Sequence, residues 1–389
     1  MMLFKIGFAP RLAALYAAMF GMLGIQLPFF PVWLNAKGLD ARTIGLVLAI
    51  PAILRMVAIS FAARSASCRS AVRAAIVVAS CASLVGYAVT GFMAGAVAIM
   101  VAYACASLAF APIMPLTETY ALRGLGARGQ SYGPVRLWGS AAFIAGSFIA
   151  GFATDVLPAR ALIWLIVAGL VLLALAALSL APLTPSAASA VEPEASRKSL
   201  LRDPAFVAVL AAASLIQASH AVYYGFSALA WRADGLDGTT IAGLWALGVV
   251  AEIVLFALSG RLPPFFTPVV LILIGAGGAS LRWTAMAFDP PVALLPLLQL
   301  LQLLHALSFG ATYFGSLNFI ARRAPPGQSA TAQGYLAIAT GAAMAVTMGV
   351  SGLLYAAFGS LSYASMALTA LAGGACAFVA YQPGRPVAR

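Results

Sequence analysis

Glu118 and Arg136 are a carboxylate and a guanidinium that lie eighteen positions apart in otherwise apolar stretches. Only 8% of the 389 residues are charged and 63% are hydrophobic, which is the composition of a membrane protein. A charge inside a bilayer costs roughly 3 kcal/mol and is usually kept for a function. The basic segment RGLGARGQ between the two residues predicts antiparallel helices whose side chains reach a similar depth and can pair. The alternative is that both side chains extend to the membrane surface.

Arg55, Glu252 and Arg282 are further charged residues inside apolar stretches. Arg55 and Glu252 each lie about thirteen residues into a predicted helix, which is roughly 20 Å at about 1.5 Å per residue. Such a depth favours a functional charge over a chance one. For both residues a purely structural ion pair is the alternative.

A polar stripe is formed by Gln299, Gln302, His305 and Ser308, which follow one another at three-residue steps. Polar groups in a lipid-embedded helix must face protein or water. His305 is therefore a candidate for a proton relay, and His220 is a second one. In both cases the alternative is a hydrogen-bonded histidine of the protein core.

Aromatic side chains are abundant near these charges, among them Tyr223, Tyr224 and Trp245. Singly, such residues are more often part of the core or of the membrane interface. As a set beside buried arginines they suit a ligand with a flat apolar body and an anionic head, because arginine binds carboxylate with two hydrogen bonds and rings pack on rings.

The elements that must position these residues are apolar segments of roughly twenty residues, the length that crosses a bilayer as a helix. Twelve are predicted, so the fold class is an all-α membrane protein. They lie near 11–34, 43–62, 73–92, 96–121, 132–153, 160–181, 204–231, 239–259, 267–287, 291–320, 330–357 and 361–381.

An internal repeat divides these segments into two halves. The stretch FFPVWLNAKGLDARTI, residues 29–44, aligns without gaps on FSALAWRADGLDGTTI, residues 226–241, with seven of sixteen positions identical. A polar segment rich in Pro, Ala and Ser lies between the halves and has the composition of a linker. We predict a six-helix bundle at 1–185, a cytoplasmic linker at 186–203 and a second six-helix bundle at 204–389. Parallel repeats of this kind are typical of transporters that alternate access to a central substrate site.

The net charge of +12 follows from the membrane topology. With the N-terminus inside, fifteen basic residues fall on one side, and only Lys37, Arg42, Arg160 and Arg232 fall on the other. This bias predicts that both termini are cytoplasmic. The basic character therefore does not indicate a nucleic-acid partner.

The sequence contains no motif that would indicate metal binding, redox chemistry or nucleotide binding. The four cysteines are scattered, without the spacing of a metal site or a redox pair. No GxxxxGK[ST] nucleotide motif is present. We therefore expect no metal and no cofactor other than protons as coupling ion. We also expect no enzymatic activity, because no cluster of carboxylates or histidines suits a membrane-embedded enzyme.

Four stretches, SYGPVRLWGS, SHAVYYGFSALAW, LWALGVVAEIVLFALS and LPFFPVWL, resemble the phenylpropionate permease family of the major facilitator superfamily. This resemblance covers both halves and most of the chain. It implies the major facilitator fold and proton-coupled import of 3-phenylpropionic acid or a related aromatic acid.

The more distant lactose permease is similar in its arrangement of charges. The resemblance places Glu118 and Arg136 at sugar-binding positions, and Glu252, Arg282 and His305 at positions that couple protons to substrate.

Two features depart from that pattern. Ser308 stands where the lactose permease has its proton-carrying glutamate, so Glu252 is the expected proton carrier here. The loop ARSASCRSAVR keeps the arginines of the superfamily's loop motif but lacks its acidic residue.

The sequence thus predicts a transporter in a bacterial inner membrane that imports a small aromatic monocarboxylate with protons and acts as a monomer. Arg136, steadied by Glu118, would bind the carboxylate, with Arg55, Tyr223, Tyr224 and Trp245 as further substrate-binding residues. Gly133 and Gly139 would admit a neighbouring helix close to Arg136. Alternatives are a sugar or glycoside symporter and a metabolite or drug exporter.

Overall fold

The computed structural model of the protein describes residues 7–67, 71–183, 200–325 and 328–381, with side chains described everywhere except at 55–67, 71 and 292. Within these ranges every regular element is helical. The α-helices are α1 (Phe8–Ala36), α2 (Ala41–Ser67), α3 (Ala71–Phe92), α4 (Ala96–Phe110), α5 (Ile113–Gly126), α6 (Tyr132–Val156), α7 (Leu162–Ser179), α8 (Pro204–Ala218), α9 (Ala221–Ala233), α10 (Gly238–Leu258), α11 (Pro268–Ala287), α12 (Leu295–Leu303), α13 (Thr312–Arg323), α14 (Ser329–Phe358) and α15 (Tyr363–Ala380).

Ten helical stretches of the described residues are long and apolar enough to cross a membrane. One of them, the 52 residues from Ser329 to Ala380, contains both α14 and α15, and Ala41–Leu54 forms a shorter apolar helix. Large apolar side chains such as Val97 and Leu368 are exposed, as expected for surfaces that face lipid. The all-α membrane fold is confirmed, whereas the count of twelve spans stays a prediction.

Three of the predicted spans are interrupted. The fourth divides into α4 and α5, and Pro115 contributes because it has no N–H to donate to the preceding turn. The seventh divides into α8 and α9 at Ser219 and His220. In the tenth, a π-helical stretch, Ala306–Ala311, separates α12 from α13. Such interruptions free backbone groups and re-aim side chains, and they occur often at functional sites.

The chain forms two compact units, of which the first contains residues 1–188 and 224–246. Its helices α1 and α6 approach each other closely at glycines. A Cβ atom added at Gly24 or Gly146 would collide with the backbone carbonyl of Phe143 or Gly21, respectively. This backbone contact places the middle of α1 against α6, the helix that contains Arg136.

Residues 224–246 follow the predicted linker in sequence but belong to the first unit. Asp155, at the end of α6, accepts hydrogen bonds from the backbone N–H groups of Gly238 at 2.7 Å and of Thr239 at 3.1 Å, and from the Thr239 hydroxyl at 3.1 Å. A carboxylate at a helix N-terminus is stabilising because it pairs with free N–H groups and with the helix dipole. The predicted linker lies mostly outside the described residues, and the proposed division into two bundles stays a prediction.

The second unit contains residues 189–223 and 247–389. One of its apolar clusters joins α8, α13 and α14, and consists of Leu200, Phe206, Ala213, Ile320, Ala332 and Leu336.

The repeated Gly-Leu-Asp motif has the same local role at both of its occurrences. Asp40 Oδ1 accepts a hydrogen bond from the backbone N–H of Thr43 at 2.9 Å, where α2 begins. Asp237 Oδ1 accepts one from the N–H of Thr240 at 2.6 Å, where α10 begins. Both aspartates are N-caps, so the sequence repeat corresponds to a repeat of local structure.

Candidate functional site

The structure brings Glu118 and Arg136 together in the first unit. Glu118 lies on α5 and Arg136 near the start of α6, with 4.0 Å between Glu118 Oε1 and Arg136 Nε. Both side chains are 29% exposed, so neither is at the fully solvated surface. The other carboxylate oxygen, Oε2, accepts a hydrogen bond from the Tyr132 hydroxyl at 2.7 Å. The ion pair is therefore loose, and the closer partner of Glu118 is Tyr132.

Aromatic rings hold the guanidinium of Arg136. Its central carbon lies 4.0 Å from the ring centroid of Phe20 and 5.6 Å from that of Tyr16, both on α1. Cation–π contacts of this kind stabilise a cation without using its N–H groups. Among the described residues Arg136 makes no hydrogen bond, and an arginine side chain carries five N–H donors.

Gly133 and Gly139 were expected to let the backbone of a neighbouring helix approach near Arg136, but the nearest atoms at Gly139 belong to side chains. A Cβ atom at Gly139 would lie 2.9 Å from Phe20 Cδ2, which shows that the missing side chain makes room for the Phe20 ring. A Cβ atom at Gly133 would meet nothing within 4 Å, so that part of the expectation is wrong.

Arg55, the other predicted substrate-binding arginine, lies in α2, but its side chain is outside the described part of the structure. Its role stays a prediction.

The second unit holds Arg282 in a buried cluster. Arg282 is fully buried; it donates hydrogen bonds to Gln302 Oε1 at 2.5 Å and to His305 Nδ1 at 3.2 Å. Its guanidinium carbon also lies 4.5 Å from the ring centroids of Tyr223 and Trp283. A buried guanidinium requires such partners, because an unpaired charge would be strongly destabilising.

The contacts of His305 define its tautomer. Arginine can only donate, so Nδ1 must accept and the ring proton of neutral His305 lies on Nε2. Nε2 faces Glu252 Oε2 at a distance of 3.6 Å. Arg282, His305 and Glu252 thus form a chain in which the histidine receives a hydrogen bond at one nitrogen and directs its proton toward a carboxylate at the other.

Ser308 and His220 form a neighbouring pair, and the π-helical stretch positions the serine. His220 Nδ1 lies 3.2 and 3.1 Å from the backbone carbonyls of Ile216 and Gln217, so it is the protonated nitrogen. His220 Nε2 then accepts from the Ser308 hydroxyl at 3.1 Å. Both residues are fully buried. The geometry of His220 is that of a hydrogen-bonded core histidine.

The three predicted aromatic residues fall into two groups. Tyr223 packs on Arg282 in the second unit. Tyr224 and Trp245 pack on each other in the first unit, with 5.9 Å between ring centroids.

Sequence reasoning missed Tyr16, Phe20 and Tyr132. The only signal was spacing, because Tyr132 precedes Arg136 by four residues and Tyr16 precedes Phe20 by four, so each pair shares a helix face.

As for metals, the described residues contain no group of three or more His, Cys, Asp or Glu side chains that could bind an ion.

The chain is similar to known transporters along most of its length. The profile of the MFS_1 like family matches residues 10–365. The "Probable 3-phenylpropionic acid transporter" of Escherichia coli (strain K12) is 34% identical over 92% of this chain and 94% of that protein. The "Maltose permease" of Geobacillus stearothermophilus is 28% identical over 85% of this chain and 84% of that protein.

Solved structures agree with this placement. A mutant of the nucleoside transporter NupG matches with a TM-score of 0.87 at 14% identity, over 97% of this chain and 100% of that one. A bacterial homologue of the human lysosomal transporter Spinster matches with a TM-score of 0.75 at 13% identity, over 97% and 98% of the two chains. At such low identity these two structures support the fold alone. With the family profile and the 34% identical relative, they establish that this chain is a multi-pass membrane protein of the major facilitator type and belongs to the MFS_1 like family.

Proposed function

We propose that this protein imports a small aromatic carboxylic acid of the 3-phenylpropionate type together with protons, by alternating access. The relative named as a probable 3-phenylpropionic acid transporter supports the substrate class. The unequal distribution of basic residues supports a bacterial inner membrane location with both termini in the cytoplasm. In this proposal the protein acts as a monomer and needs no cofactor beyond the coupling proton.

The availability of Arg136 is the observation on which the proposal depends. A partly exposed guanidinium with free N–H groups is suited to a carboxylate, which it can bind through two parallel hydrogen bonds. The Phe20 ring packs against the guanidinium, with 4.0 Å between the ring centroid and the guanidinium carbon. An aromatic carboxylate matches both groups at once, with its anionic head on Arg136 and its ring against an aromatic surface.

We also propose that the substrate contacts Tyr223, Tyr224 and Trp245, and that Arg55 is a second anion-binding residue. Tyr223 is 2% and Trp245 is 4% exposed, so only a conformational change would let a ligand reach them fully. Alternating access supplies such a change.

Proton coupling is assigned to Glu252, assisted by His305 and Arg282. Glu252 is 23% exposed at its side chain, so a proton can reach it. His305 Nδ1 is occupied by Arg282 and can accept no proton without losing that hydrogen bond. Glu252 is therefore the member of the chain that can exchange a proton, and its charge decides how strongly His305 and Arg282 are held.

A sugar symporter is the second candidate, favoured by the 28% identity to a maltose permease. A sugar has hydroxyl groups and no anionic head, so it would use Glu118 as a hydrogen-bond acceptor as much as Arg136 as a donor. An exporter of a metabolite or drug would differ in the direction of net flux.

Competition in proteoliposomes tests the proposal. Unlabelled aromatic acids should inhibit the uptake of labelled 3-phenylpropionate, whereas disaccharides should not. Arg136→Ala should abolish uptake, and Arg261→Ala, which changes an exposed arginine outside the cluster, should leave it unchanged. Uptake by Arg136→Ala at the parental rate would show that the carboxylate binds elsewhere.

A further inference from the structure

We propose that Tyr132 is a positioning residue that keeps Arg136 open to substrate by holding Glu118 away from it. The inference rests on the proposed function, since it requires that Arg136 binds the carboxylate of the substrate.

The two oxygens of Glu118 are unequally engaged. Oε2 accepts the Tyr132 hydroxyl at 2.7 Å, a short hydrogen bond to a charged acceptor. Oε1 stops 4.0 Å from Arg136 Nε, beyond hydrogen-bond distance. An unrestrained arginine–carboxylate pair would close to about 2.8 Å with two parallel hydrogen bonds. Glu118 and Arg136 lie close enough to do so but remain apart.

Local structure explains why Tyr132 can compete for Glu118. Tyr132 and Arg136 are four residues apart on α6, so both face the Glu118 side chain from the same side of the helix. The ring of Tyr16 packs edge-on against Tyr132, with 6.3 Å between centroids and 83° between ring planes. Tyr16 is fully buried and belongs to α1, which the glycine contacts fix against α6. The hydroxyl of Tyr132 is thus held toward Glu118.

The hydrogen bond from Tyr132 prevents the Glu118 carboxylate from occupying the site on Arg136 that the substrate carboxylate needs. A substrate carboxylate and Glu118 have the same charge and would compete for one guanidinium. If Glu118 closed on Arg136, the substrate would have to break that ion pair before it could bind. With Glu118 held by Tyr132, the negative charge still keeps Arg136 in place electrostatically, while the N–H groups stay free. Loss of the Tyr132 hydroxyl should therefore weaken substrate binding more than the turnover of bound substrate.

Uptake kinetics of labelled 3-phenylpropionate in proteoliposomes test this inference. Tyr132→Phe should raise KM about tenfold, the scale of one hydrogen bond to a charged group, with the maximal rate changed less than about twofold. Tyr120→Phe is the matched control: its hydroxyl donates to the Ala181 carbonyl at 2.6 Å and not to Glu118, so its KM should stay at the parental value.

A rescue experiment separates positioning from a structural role. In the Glu118→Gln background the side chain has no charge with which to close on Arg136, so adding Tyr132→Phe should no longer change KM. An equal rise in both backgrounds, an equal rise with Tyr120→Phe, or no rise with Tyr132→Phe would each overturn the inference. Arg136→Ala separates the two proposals. If it abolishes uptake, or leaves so little that KM is strongly raised, while Tyr132→Phe does not change KM, only the role of Tyr132 is lost. If it leaves KM unchanged, the proposed substrate site itself is wrong.

Discussion

The buried contact between Arg282 and Gln302 allows stability and proton coupling to be tested separately. Both residues are fully buried, and the hydrogen bond between Arg282 Nη2 and Gln302 Oε1 measures 2.5 Å. We consider Arg282→Met, Gln302→Leu and the double variant. All three replace polar side chains with apolar ones of similar length.

The magnitudes follow from what each change leaves unpaired. Gln302→Leu removes an acceptor from a charged donor, which costs about 2 kcal/mol of unfolding free energy. Arg282→Met leaves Gln302 Oε1 and His305 Nδ1 without their donor, at about 1–3 kcal/mol each. Removal of the buried charge offsets part of that loss. In the double variant Gln302 Oε1 is absent too, so the combined loss should be smaller than the sum by at least about 1 kcal/mol.

Two assays measure these variants. Thermal unfolding of the detergent-solubilised protein reports stability, and proteoliposome transport reports coupling. The double variant should lose less stability than the sum of the two single losses, although His305 Nδ1 still lacks its donor. It should exchange labelled for unlabelled substrate without a gradient, yet fail to accumulate substrate under a pH gradient. Losses of stability that add within about 0.5 kcal/mol, or accumulation at the parental level, would refute the reasoning.

Two predictions concern contacts outside this cluster. Asp155→Ala removes three hydrogen bonds to the first turn of α10, so thermal stability should fall by about 1–2 kcal/mol; an unchanged unfolding midpoint would contradict this. Arg323 donates hydrogen bonds of 2.7 and 3.0 Å to Asp203 and thereby lowers the pKa of that carboxyl group. The stabilisation of the folded protein by this pair is complete above the ordinary pKa of aspartate, and it is lost as the pH falls through the lowered pKa. In Asp203→Asn the unfolding temperature should therefore fall less steeply than in the parent as the pH is lowered into the acidic range. An unchanged slope of unfolding temperature against pH would contradict the assignment.

The charged part of the site could be predicted because charges stand out in apolar segments. Glu118 and Arg136 were expected to meet from their spacing, and the structure places them 4.0 Å apart. Glu252 and His305 also lie together, at 3.6 Å. A charge in lipid has few energetically acceptable surroundings, so its presence in the sequence already implies a partner.

The aromatic part of the site could not be predicted in the same way. Phe20 lies in a helix where nearly every residue is apolar, so nothing in its type or spacing separates a ring that contacts Arg136 from one that faces lipid. Tyr132 was hidden for a different reason. Its importance comes from one hydrogen bond across helices, and such a bond depends on the angle and distance at which α5 and α6 pack.

The interruptions at Ser219–His220 and at Ala306–Ala311 were also beyond the sequence pattern. Hydropathy depends on composition over about twenty residues, whereas a break or a π-helical stretch depends on which backbone groups are hydrogen-bonded. Three residues of the predicted polar stripe, Gln302, His305 and Ser308, are buried in the protein as expected. The fourth, Gln299, is exposed.

Gradient-driven uptake tests the central claim most directly. Proteoliposomes that contain the parental protein should accumulate labelled 3-phenylpropionate when an inward proton gradient is imposed, and a protonophore should abolish the accumulation. Glu252→Gln should retain exchange of substrate across the membrane but lose accumulation, because its side chain cannot take up and release a proton. Uptake that is independent of the gradient, or full accumulation by Glu252→Gln, would contradict proton-coupled import through Glu252.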